Sequence, residues 1–192
     1  MSTENKKRLE LVLTSIFILL TIGFILLMAF NGEFFDWAFE RHQNKLSWAV
    51  RPFILLPICF FAYKRSALGI SVSVFLGLAS MAFFPVPEVI DPQVKNFLNM
   101  EKAYLTSGWT IGKIAITMLV PISMTLLGMA FWKRSLKTGL IIIIMIAVTK
   151  TLWSLVEGGQ SGQSVIAPAV VGLIISIIVI YYAAKRKKRT KE

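Results

Sequence analysis

The chain of 192 residues is 56% hydrophobic and 16% charged, well above the roughly 45–50% apolar content of an average soluble domain, so water is not its expected solvent. A single cysteine, Cys59, excludes an intrachain disulfide framework and any multi-cysteine metal site. The formal charge of +11 lies in short basic pieces between apolar runs, whereas nucleic-acid binders gather charge on one face or helix, so no nucleic-acid partner is expected.

About 20 apolar residues at 1.5 Å each cross a hydrocarbon core of roughly 30 Å. Lipid also requires a spanning backbone to satisfy its own hydrogen bonds, which favours helices. The first such run, Leu11–Phe30, follows Lys6, Lys7 and Arg8. It is too long for a signal-peptide core, and "LMAFNGEF" lacks a small-x-small cleavage site, so an uncleaved helix is expected. Next, "EFFDWAFERHQNKL" interleaves Phe34, Phe35, Trp37, Ala38 and Phe39 with Glu33, Asp36, Glu40, Arg41 and His42, the pattern of a helix lying in the membrane interface.

The second span, Leu46–Tyr63, carries Trp48, Arg51 and Pro57. Its start, "KLSWAVRP", is near the first motif of lipid-phosphate phosphatases, but the spacer is one residue short and the later serine, histidine and aspartate elements are absent, so that chemistry is excluded. The third span, Ala67–Phe84, has small residues at Gly69, Ser73 and Gly77, a packing stripe. The proline-rich "FFPVPEVIDP", which includes Glu88, is not helical in character. Asp91 is then placed as an N-cap with Pro92 at the first helical position, and Val94, Phe97, Leu98, Glu101, Tyr104 and Leu105 follow at helical spacing as a second interfacial helix.

The fourth span, Trp109–Trp132, holds Lys113 and Pro121, and the fifth, Thr138–Val156, holds Lys150 and Trp153. Pro57 and Pro121 each remove a helical hydrogen bond and favour a kink. "EGGQSGQS", opened by Glu157, is expected to be a plain flexible loop rather than an anion-binding nest. The sixth span, Val165–Ala184, has its own stripe at Pro168, Gly172 and Ser176, and residues 185–192 form a basic tail suited to anionic lipid.

With six crossings, the amino terminus, both "KRS" turns (Lys64–Ser66 and Lys133–Ser135) and the tail fall on one side. That side carries fourteen cations against three acids, while the other carries seven of each. The positive-inside rule makes it cytoplasmic, with both termini inside and the plasma membrane as the site. "FAYKRSALGI" and "FWKRSLKTGL" match only with a one-residue gap, and basic turns after aromatics arise independently from the same rule, so convergence is the expected origin.

Arg51, Lys113 and Lys150 all fall toward the outer ends of their spans, each within four residues of a tryptophan: Trp48, Trp109 and Trp153. Snorkelling to the headgroups explains such residues in part. An intramembrane cation such as Lys150 usually faces the bundle interior and needs a partner, here Glu157 or one of Glu88, Asp91 and Glu101. If these charges pair, the cluster is structural; otherwise it forms an outward-opening site for a carboxylate, phosphate or lipid headgroup.

His42 is the only histidine, which excludes bis-histidine haem and HExxH zinc sites within one chain; no cofactor, metal or catalytic residue is expected. The expected architecture is therefore an all-α polytopic membrane protein. It is a single integral membrane domain, a six-transmembrane-helix bundle with two interfacial amphipathic helices on the outer side. Size and topology resemble, at the level of architecture, the substrate-capture subunits of energy-coupling-factor transporters, although the first helix lacks the alanine stripe by which such subunits dock. The leading functional expectation is a binding or transport component for an anionic or amphipathic ligand. The alternatives are an enzyme acting on a lipid or isoprenoid through outer carboxylates, and an assembly subunit that docks another membrane protein.

Overall fold

The computed structural model describes residues 2–189, with the side chains of residues 51, 52 and 183–189 outside the described part. Every regular element among the described residues is helical. The helices are α1 (Thr3–Phe30), α2 (Gly32–His42), α3 (Lys45–Tyr63), α4 (Ala67–Ala79), α5 (Pro92–Thr106), α6 (Ile111–Trp132), α7 (Leu136–Gly162) and α8 (Ile166–Arg189), with 3-10 turns at Ser80–Phe83 and Gln163–Val165. They form two compact units, Met1–Glu88 and Val89–Glu192.

In the first unit α1 begins earlier than its apolar run, because Ser2 caps it through the amide of Asn5 and Glu4 pairs with Arg8 one turn on at 2.9 Å. None of its residues is buried, although it is one of the most apolar segments of the chain. Its polar side chains satisfy themselves: the hydroxyls of Thr14 and Thr21 donate to the carbonyls of Glu10 and Phe17 at 2.7 and 2.8 Å. The amphipathic α2 is capped by Asn31, turns Ala38 and His42 inward, and packs on α1 and on the 3-10 turn that ends α4. α3 and α4 pack as a hairpin along the predicted stripe, where a side chain at Gly69 would strike the ring of Phe61 and one at Gly77 would come within 2.8 Å of Ile54 Cγ2. The proline-rich segment is irregular, as its prolines require, and its Pro85 carbonyl accepts from the Asn44 side chain at 3.1 Å.

The two "KRS" turns share one backbone geometry. Ser66 N–H donates to Phe61 O and Arg65 N–H to Ala62 O; Ser135 N–H donates to Ala130 O and Arg134 N–H to Phe131 O, the paired bonds of a Schellman motif. Arg65 and Arg134 occupy the left-handed position at φ 56° and 58°, where glycine is usual. The following serine is in each case the N-cap of the next helix.

In the second unit α7 is central and packs on α5, α6 and α8. As predicted, Asp91 caps α5, accepting from Gln93 and Val94 amides at 2.8 and 3.3 Å, with Pro92 at its start. Val94, Phe97 and Leu98 form its buried face. Gly172 and Ser176 of the predicted stripe are buried on α8, and the Ser176 hydroxyl closes on the Gly172 carbonyl at 2.8 Å.

The glycine-rich segment after Glu157 differs from expectation. It is helical to Gly162 and continues as the 3-10 turn, broken only at Gly159, whose φ of 52° and ψ of −125° turn the chain back. Gly162 then lies so close to the Ser154 carbonyl that no Cβ fits, and a Cβ at Gly158 would sit 2.9 Å from the Phe97 ring. The glycines serve a packed reversal, not a flexible loop.

Four stretches are long and apolar enough to cross a membrane: Thr3–Phe30, Lys45–Tyr63, Ile111–Trp132 and Leu136–Tyr182, with Ala67–Ala82 shorter.

Candidate functional site

The second unit gathers a polar and aromatic cluster where α5 meets α7. α5 presents Phe97, Glu101 and Tyr104 from one face because these positions are three or four apart, and Lys150 and Trp153 share a face of α7 for the same reason. Lys150 Nζ donates to Glu101 Oε1 at 2.9 Å, with the lysine side chain 45% exposed and the glutamate 21%. The same ammonium lies 4.5 Å from the Trp153 ring centre and 5.6 Å from that of Phe97, so two aromatic faces and one carboxylate surround it.

Tyr104 meets Trp153 edge-on at 5.4 Å, and Lys113 Nζ sits 4.6 Å above the Tyr104 ring. Two ammonium groups thus flank one tyrosine–tryptophan pair. Lys113 also closes the carboxyl end of α5. It donates to the carbonyls of Tyr104, Ser107 and Gly108 at 2.6, 3.3 and 3.3 Å and to the Ser107 hydroxyl at 2.6 Å, a cation placed on the negative end of a helix.

Within this cluster the Tyr104 hydroxyl and the Trp153 indole N–H are buried without a hydrogen-bond partner, and so is the hydroxyl of the adjacent Ser154. An indole N–H only donates, and the two hydroxyls have donors to spare, so what the cluster lacks is an acceptor. A buried donor left without an acceptor costs about 1–3 kcal/mol, so an acceptor that reaches these groups is favoured.

The other residues singled out by sequence are used differently. Trp109 is exposed, its ring 5.9 Å from Lys113 Nζ, and Asp91 serves as the α5 cap. Glu157 and Glu88 are exposed. Trp48 is buried in the first unit and donates its indole N–H to the His42 carbonyl at 2.8 Å, tying α2 to α3. The side chain of Arg51 lies outside the described residues.

Sequence reasoning placed Tyr104 and Phe97 on an apolar face without adding them to the site. Their spacing to Glu101 was the available signal, since any partner of Glu101 on a second helix also meets its neighbours one turn away. It also missed the joint between α2 and α3, where His42 Nδ1 lies 2.9 Å from Ser47 Oγ with both side chains buried. That joint places a histidine and a serine together, but Ser47 is 1% exposed, which closes it to an outside substrate. Comparison with protein-family models, curated proteins and solved structures finds no match for this chain.

Proposed function

We propose that this chain is a six-span integral membrane protein of the plasma membrane, with both termini cytoplasmic, that binds an amphipathic anion from the outer side as a binding or transport component. Support for six spans comes from lengths. The 47 residues of Leu136–Tyr182 would run about 70 Å as one helix, more than twice a hydrocarbon core, and the chain reverses at Gly159 with α7 packed on α8. That stretch counts as two crossings. α4 with its 3-10 extension reaches about 28 Å, close to the core thickness, and supplies the sixth. The exposed apolar surface of α1 is what lipid covers.

In this topology α5 and the amino end of α6 lie outside, and Lys150, about 21 Å along α7, falls in the outer third of the bilayer. The observation that carries the binding reading is the pair of acceptor-less donors, Tyr104 O–H and Trp153 N–H, set between two ammonium groups beside apolar rings. A carboxylate or phosphate oxygen on an apolar tail answers that chemistry: the oxygen takes the donors and the cation, and the tail takes the rings. The enzyme reading has less behind it, since Glu101, one of its partly buried carboxylates, is engaged by Lys150.

The test is the affinity of the detergent-purified protein for dodecyl phosphate, followed together with thermal stability. Tyr104→Phe is expected to weaken binding about tenfold while raising stability of the unliganded protein by about 1 kcal/mol, because it deletes an unsatisfied hydroxyl. Lys150→Met is expected to abolish binding. Unchanged affinity in both variants, or no binding by the wild type, overturns the reading.

A further inference from the structure

Resting on that reading, we infer that Glu101 is a tethered competitor for the ligand: its carboxylate occupies the place on Lys150 that the ligand's anionic group takes, and α5 closes the site until exchange occurs. Three observations converge on this. The Glu101 carboxylate is the acidic group paired with Lys150, so Lys150 already holds one anion. The Tyr104 and Trp153 donors are out of reach of solvent, so an incoming acceptor meets them only if α5 shifts from α7. This same ion pair joins α5 to α7 by charge, and its lysine is 45% exposed.

Exchange requires that shift of α5, and what the ligand brings offsets its cost. A ligand that displaces Glu101 replaces one carboxylate–ammonium bond with another and adds acceptors for two donors that have none. Phosphate suits this better than the tethered carboxylate, having more acceptor oxygens around one centre. Lys113 stays with α5 through its bonds to the helix end, which keeps the helix whole as it moves.

The experiment is a cycle of Glu101→Gln, Lys150→Met and the double variant in the full chain, with dodecyl phosphate, inorganic phosphate and phosphatidylglycerol in lipid nanodiscs as three separate probes. Removing the competitor is expected to tighten dodecyl phosphate binding about fivefold, by removing the fraction of molecules held in the closed state. The same substitution is expected to have no effect when Lys150 is already methionine. Glu101→Asp, whose shorter arm reaches Lys150 less well, tightens binding about twofold and stands as the second variant if the glutamine protein folds poorly. Tightening with phosphatidylglycerol but not inorganic phosphate assigns the site to a lipid headgroup, and the converse assigns it to a free anion; either outcome supports the exchange. Equal or weaker binding by both Glu101 variants, with Lys150→Met still inactive, overturns the exchange and leaves the binding site standing. Wild-type binding by every variant removes the site itself.

Discussion

Single residues decide more of this molecule by what they omit than by what they contribute. Gly162 lies against the Ser154 backbone, which cannot swing aside as a side chain can, whereas Gly23 in α1 has open space around the position of a Cβ. Gly162→Ala is therefore expected to lower stability by about 2–3 kcal/mol through overpacking, and Gly23→Ala to leave it unchanged or raise it by up to about 1 kcal/mol through helix propensity. Thermal unfolding of both variants in one detergent checks the contrast. The sequence announced neither role, because glycine spacing in "EGGQSGQS" is equally that of a loop, and only the approach of a distant segment distinguishes the two. Lys150, by contrast, was legible: an ammonium deep in an apolar run demands a partner. Which acid answers it was not legible. Glu157 lies two turns along the same helix, while Glu101, the actual partner, arrives from another helix 49 positions away in the chain.

At the scale of elements, the capped start of α5 was readable, and boundaries set by tertiary contact were not. Asp91–Pro92 marks the start of α5 because the side-chain acceptor and the missing proline N–H both match a helix amino end. The serine caps that start α4 and α7 obey the same logic but were not read as caps, and α7 begins at Leu136 rather than the expected Thr138. The "KRS" turns held more than their charge suggested. In both, an arginine takes the left-handed position, and a phenylalanine packs on a glycine eight residues later, Phe61 on Gly69 and Phe131 on Gly139. Phe61 and Gly69 lie four residues before and after Arg65, whereas Phe131 and Gly139 lie three before and five after Arg134, so the turn shifts by one residue within a constant aromatic–glycine spacing. Because β-branched residues tolerate positive φ poorly and glycine tolerates it freely, Arg65→Ile is expected to cost about 1–2 kcal/mol and Arg65→Gly to preserve the fold. Thermal melts of the two proteins side by side give the comparison.

At the scale of the whole chain, function follows from orientation. If the basic turns face the cytoplasm, α5 lies on the outer side and the proposed site at Lys113 and Lys150 opens toward the outer leaflet, the side from which an amphipathic ligand would approach. The measurement that tests this most directly is labelling of single cysteines in intact cells with a membrane-impermeant maleimide, in a background where Cys59 is serine. Cysteines at Ser107 and Gln160 are expected to react from outside, and cysteines at Ser66 and Lys137 only after permeabilisation. Reaction at Ser66 or Lys137 in intact cells, or protection at Ser107 until the membrane is opened, would contradict the topology and with it the site.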